Sequence, residues 1–410
     1  MQDYELITLP NGIRVVHRES PHTKVAHVGI MLDIGSRDEN PEEQGIAHFW
    51  EHMAFKGTKK RKAFHIIDRL DSLGGELNAY TTKEKICFYA SVLDNHLDKA
   101  VELLADITFH STFPSQQIEK ERMVILEEMS MYLDTPEDAI QDEFDTIVFK
   151  DHSLGKNILG TIDTVSNFQQ ADFFSFLERN LDTEKIVLTS VGNYSLKKLL
   201  RLAEKNLSDI SGKKSSTKRS TFSDYVANSL EVKKQITQSH AALGTTSFDL
   251  KSEFRIPFFL LVNILGGPGM NSRLNLSLRE KYGFVYGIDA NYAPYIDTGM
   301  FSIFFATDPK NLKKCFQLIE KEMSFLKTKK LGEMQLHKAK QQIKGQLAMS
   351  EENNNAVMLM MAKSLLDLNR VPDLNQLFDK IDRVTAVELQ ELAISQFDFD
   401  KMSRLTYHAD

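Results

Sequence analysis

The stretch His48-Phe49-Trp50-Glu51-His52 concentrates the chemistry of this chain. On a helix, residues i and i+4 share one face, so His48 and His52 can present both imidazoles to a single metal ion. Glu51, one position before the second histidine, can reach a water beside that metal without being a ligand itself. The order H-x-x-E-H reverses the commoner H-E-x-x-H. It points to a zinc hydrolase of the inverted-motif class, with the glutamate as general base.

Two histidines leave a catalytic zinc one protein ligand short. The source of a third is the strongly helical segment Glu119-Lys120-Glu121-Arg122-Met123-Val124-Ile125-Leu126-Glu127-Glu128-Met129, whose apolar stripe runs through Ile118, Ile125, Met129 and Tyr132. Glu121 and Glu128 stand two turns apart and interleave with that stripe, whereas Glu127 is rotated by about 100° toward solvent. An ionised carboxylate on a buried face costs several kcal/mol unless a cation or hydrogen-bond donors compensate it. A metal would resolve that cost for one of the two.

These residues must be held by a scaffold. In the first half, 12–17 and 25–32 read as strands, 86–93 as a β-rich run, and 42–54, 61–73, 94–110 and 115–133 as helices. The second half repeats the scheme with a strand near 241–245, a helix over 256–265 and a strand near 299–305. Strands and helices mixed without strict alternation indicate an α+β class: two similar α/β sandwich domains of roughly 200 residues each. The polar, basic run from Ser211 to Ser220 marks the division, giving a zinc-binding domain over 1–210, a linker over 211–224 and a second domain over 225–410. Ile162-Asp163-Thr164-Val165-Ser166 and Ile381-Asp382-Arg383-Val384-Thr385 share a pattern late in each half, as duplication would leave.

Composition excludes several classes. A net charge of −7 with 26% charged residues offers no basic stripe for nucleic acid. Cys87 and Cys315 are the only cysteines, which argues against a disulfide framework and against a thiolate zinc site. No basic leader precedes an apolar core, and no run approaches the ~18–20 apolar residues of a membrane span. A cytoplasmic protein without a membrane partner is the expectation.

The run from His48 to Thr58, then Gly75-Glu76-Leu77-Asn78-Ala79-Tyr80-Thr81, Glu121 to Glu128, and His152 to Thr161 together resemble the pitrilysin/insulysin family of zinc metallopeptidases. Within it the chain is most similar to the single-length, processing-peptidase branch, and the likeness covers essentially the whole chain. Trp50 stands where leucine is more usual, at a position that bears on packing. The resemblance implies that Glu128 is the third ligand of one Zn²⁺ per chain and that Glu121 supports the site from behind. It assigns Asn78, Ala79 and Tyr80 to an edge strand that pairs with peptide substrate. It also assigns Arg279 and Tyr286, in a second half that has no histidine pair, to the scissile carbonyl in a facing half. Because this single-length chain carries both sets, the resemblance implies a homodimer closing like a clamshell. The expected activity is endopeptidase cleavage of unstructured peptides in an enclosed chamber. The competing expectation is a non-catalytic scaffold or partner subunit. It is disfavoured because His48, Glu51, His52 and Glu128 are all present.

Overall fold

The computed structural model describes residues 4–409. Strands β1 (Glu5–Thr8), β2 (Arg14–Glu19), β3 (Val25–Leu32), β4 (Glu76–Thr81), β5 (Ile86–Leu93) and β6 (Ile186–Gly192) form one sheet in the order β1-β2-β6-β3-β5-β4. Strands β7 (Ser229–Lys234), β8 (Ser239–Ser247), β9 (Val285–Pro294), β10 (Gly299–Thr307) and β11 (Ser403–Ala409) form a second, in the order β7-β11-β8-β10-β9. Only β2 with β6 and β7 with β11 run parallel; the other pairs are antiparallel. The order and senses of β2-β6-β3-β5-β4 therefore recur in β7-β11-β8-β10-β9, with β1 added in the first sheet. The two domains are similar, as the repeated I-D-x-V pattern suggests, and the class is mixed α/β.

The chain forms two compact units, and each takes chain from both halves. The first comprises 1–129, 156–219 and 349–373; the second comprises 130–155, 220–348 and 374–410. The pieces that cross are helices with an apolar face. In the first unit, helix Asn354–Leu368 buries Val357, Met358, Met361 and Leu365 against Val16, Met31, Cys87, Val187 and Val191 of the sheet. This explains why β3 is buried along nearly its whole length rather than on alternate residues: both of its faces are covered. In the second unit, helix Pro136–Val148 buries Ala139, Ile140, Phe144 and Ile147 with Ala242, Met300, Leu405 and Tyr407.

The polar run expected as a linker has no regular secondary structure, but it is fastened down near both ends. The Thr183 N–H donates to the Lys213 carbonyl, the Lys213 N–H donates to the Thr183 hydroxyl, and the Arg219 guanidinium donates to Asp38 at 2.8 Å and to Asp33 at 2.9 Å. Burial alone would lower the Arg219 pKa. The carboxylates around it, Asp38 first, outweigh burial and raise it. Among the described residues no helix is long and apolar enough to cross a membrane.

Candidate metal centre

The motif lies on helix Ile46–Ala54, which buries Ile46, Ala47, His48, Phe49, Trp50, Met53 and Ala54. The helix starts where it does because Gly45 adopts φ +93° and because its backbone lies against another glycine. A Cβ at Gly45 would meet the Leu159 carbonyl oxygen at 2.5 Å, and one at Gly160 would meet that of Gln44 at 2.2 Å. Only glycine fits both places, which gives the His152–Thr161 segment its role. Trp50 is fully buried and stacks edge-on against Phe88, a packing position as expected.

His48 and His52 project together, their ring centroids 4.7 Å apart. Glu128 comes from helix Ser115–Asp134, on which Glu121 is buried and Glu127 is exposed. Its Oε2 lies 3.8 Å from His48 Nε2 and 3.6 Å from His52 Nε2. A tetrahedral zinc with bonds of about 2.0–2.2 Å needs donors about 3.3–3.6 Å apart, so this trio is close to the spacing required. Burial, followed by the neighbouring His52, pushes His48 down to about 3, leaving a neutral imidazole with a lone pair to give. Burial raises Glu128, and His52 opposes it. Two imidazole nitrogens and one carboxylate oxygen, each side chain three-quarters or more enclosed, match in type and number the protein donors that a catalytic zinc takes.

Glu121 stands behind this set. Its Oε2 lies 3.2 Å from His52 Nδ1, and its Oε1 pairs with Lys56 Nζ at 2.7 Å. With Nδ1–H donated to Glu121, His52 keeps Nε2 free as a ligand atom. Burial would raise Glu121, but the hydrogen bonds from His52 and Lys56 win and hold it low. Glu51 is no part of the trio; its Oε2 accepts a hydrogen bond from Thr81 Oγ1 at 2.5 Å. Burial raises the Glu51 carboxyl above the ordinary range, against the Thr81 bond and His52. That suits a proton acceptor that must later release its proton.

Thr81 ends β4, an edge strand that among the described residues pairs with β5 alone. Asn78, Ala79 and Tyr80 pair with Tyr89, Phe88 and Cys87, so one side of this strand offers its backbone outward beside Glu51. Arg279 and Tyr286 belong to the second unit. Arg279 lies in the π-helical turn Asn275–Lys281, and its guanidinium sits 5.4 Å from the centroid of the Tyr286 ring. Tyr286, near the start of β9, is 88% exposed and so takes no part in the core. Sequence reasoning missed Thr81 and Lys56 as partners of the site. Lys56, one turn beyond His52, carried a helical-spacing signal, whereas Thr81 is brought in only by the sheet.

Residues 14–162 match the family model described as insulinase, peptidase family M16, and residues 167–343 match that of the peptidase M16 inactive domain. The latter description accords with a second half that lacks the ligand set. The uncharacterized zinc protease YmxG of Bacillus subtilis is 33% identical over 393 residues, covering 96% of this chain and 95% of that protein. An uncharacterized zinc protease of Rickettsia felis is 36% identical over 356 residues, covering 86% of this chain and 84% of that one. Two crystal structures share the fold. A peptidase M16 inactive domain from Pseudomonas fluorescens matches with a TM-score of 0.90 at 18% identity, over 100% of this chain and 98% of its own. A protease from Helicobacter pylori matches with a TM-score of 0.89 at 22% identity, over 98% and 99%. Through relatives that align along nearly its whole length, the chain belongs to peptidase family M16.

Proposed function

We propose that the protein is a zinc-dependent endopeptidase of unstructured peptides, working as a homodimer. The observation that carries this reading is the convergence of His48, His52 and Glu128 beside a general base that is itself held by the edge strand β4. Zinc bound there supplies Lewis acidity, which acidifies a water and polarises a peptide carbonyl. Glu51 takes the proton from the attacking water and passes it to the leaving amine. Glu121 fixes the His52 ring and its tautomer. The open edge of β4, around Asn78, Ala79 and Tyr80, aligns an extended peptide by main-chain pairing, which tolerates many sequences and requires an unfolded substrate. Arg279 and Tyr286 donate to the developing oxyanion in a second copy of the chain.

The test is cleavage of a quenched-fluorescent unstructured peptide, with a tightly folded protein as competitor and solution mass measured on the same sample. Chelator-sensitive cleavage of the peptide alone, by a particle of twice the chain mass, is the expected result. Full activity at monomer mass would overturn the dimer. Metal-free, inert protein would favour the scaffold reading.

A further inference from the structure

The metal-site side chains depend on how the motif helix is seated, and one carboxylate in that seat is so far unexplained. Gly45 has no side chain with which to cap the helix, and no other side-chain cap forms at that position. Instead Glu39, six residues upstream, reaches forward. Its Oε2 accepts the Gly45 N–H and its Oε1 the Ala47 N–H, both at 2.9 Å. These N–H groups belong to the helix start, where backbone donors lack intrahelical partners and the helix dipole favours negative charge.

Glu39 differs from the acidic residues around it. Asp38 is paired with Arg219 and Glu43 with Arg179, but Glu39 has no cationic partner among the described residues. Burial pushes its carboxyl well above the usual range, and Asp38 and Glu43 add to that, while the two N–H groups oppose it. Among the described residues its hydrogen-bond partners are the two N–H groups of the helix start.

The loop that carries Glu39 is also fastened at its other end. Ser36 N–H donates to Thr82 O at 3.2 Å and Arg37 N–H to Lys83 O at 2.8 Å, and the Arg37 guanidinium pairs with Glu84 at 2.6 Å. Thr82, Lys83 and Glu84 form the turn from β4 into β5. At the β4 end of that turn is Thr81, which holds Glu51. The path is closed: helix start, Glu39, loop, turn, β4 and back to the helix through Glu51.

We infer that Glu39 is a positioning residue for the metal-site chemistry: through the Gly45 and Ala47 N–H groups it locks the motif helix to the β4–β5 turn. It thereby sets where His48, Glu51 and His52 stand relative to the peptide-binding edge and to Glu128. The activity arm of the test rests on the peptidase reading; the cobalt arm does not.

The experiment compares full-length wild type, Glu39→Gln and Glu39→Ala, each loaded with zinc for kinetics and with Co²⁺ for visible absorption. In Glu39→Ala, kcat per bound zinc should fall by about 10–100-fold with KM nearly unchanged, the scale seen when outer-shell support is lost. Glu39→Gln, which keeps one acceptor oxygen, should lie between. The cobalt bands should shift in both variants, and metal affinity should weaken. Unchanged kcat per bound zinc with an unchanged cobalt spectrum would overturn the inference even if Tm drops, because a cap that only stabilises the fold would behave that way. If Glu39→Ala does not fold, Glu39→Gln decides on the same readouts. If wild type cleaves no peptide, the peptidase reading fails, while the cobalt spectra and metal affinity still decide the role of Glu39.

Discussion

In the first unit, helix Ile46–Ala54 meets helix Ser115–Asp134 through two imidazoles and a carboxylate. In the second, the helices at the same places in the element order are Arg255–Gly266 and Glu333–Glu351. They meet through neutral amides, with Asn263 Nδ2 3.5 Å from Gln346 Oε1. Arg255–Gly266 is otherwise a core helix that buries Phe258, Leu260, Leu261, Val262 and Leu265. One strand order thus supports both a reactive and an inert version of the same helix pair. The inert version shows that the scaffold needs no charge at this junction in order to pack. The titratable groups of the first unit, buried at a cost, are the ones that the proposed chemistry uses.

This contrast can be broken at either end. The largest effect belongs to Glu51: Glu51→Gln should lower peptide hydrolysis by about 10²–10⁴-fold while metal analysis still finds zinc. Loss of metal, or near-normal turnover, would count against its role as base. Next is the buried ion cluster of the first unit, where Arg219→Ala should cost about 3–5 kcal/mol in denaturant unfolding because it leaves Asp38 without its cation and Asp33 with only its lysines.

The same cluster gives a pH signature. Burial alone would raise Asp33, but Arg219 and then Lys85 hold it below the ordinary carboxylate range. A depressed folded pKa contributes stability that is fully present above the unfolded value of about 3.9 and is lost as pH falls through the folded one. Tm should therefore fall as pH drops below about 4, and less steeply in Arg219→Ala. In the second unit, Arg279→Ala or Tyr286→Phe should lower kcat by about 10²-fold with zinc content intact, if the pair aids the oxyanion. The smallest effect is expected at the inert junction: Asn263→Ala or Gln346→Ala should cost at most about 1 kcal/mol and leave zinc content and turnover at wild-type levels. A large loss of activity there would mean that the two units are not divided in role as their side chains indicate.

How much of this was legible follows from which forces act locally. β3 and β5 occupy 25–32 and 86–93 as read, because an apolar run bounded by polar residues specifies a buried strand without help from elsewhere. Glu121 and Glu128 could be picked from neighbouring glutamates because helix periodicity is rigid, and Glu127 faces solvent for the same reason. β4 was reached only through a family resemblance, since its half-exposed residues leave a weak pattern. The crossing helices, Pro136–Val148 and Asn354–Leu368, were not singled out from the sequence, and nothing local says which sheet their apolar faces will cover. Glu39 and Thr81 were invisible, because a carboxylate that caps a helix six residues ahead and a hydroxyl delivered by a sheet edge follow no spacing rule.

The central claim, that His48, His52 and Glu128 hold the zinc that drives peptide cleavage, is tested most directly by returning zinc to chelator-stripped protein while following cleavage of an unstructured peptide. Activity should rise linearly and break at one zinc per chain, and Glu128→Gln should show neither the break nor the recovery. Cleavage that survives stripping, or that recovers equally in Glu128→Gln, would contradict it.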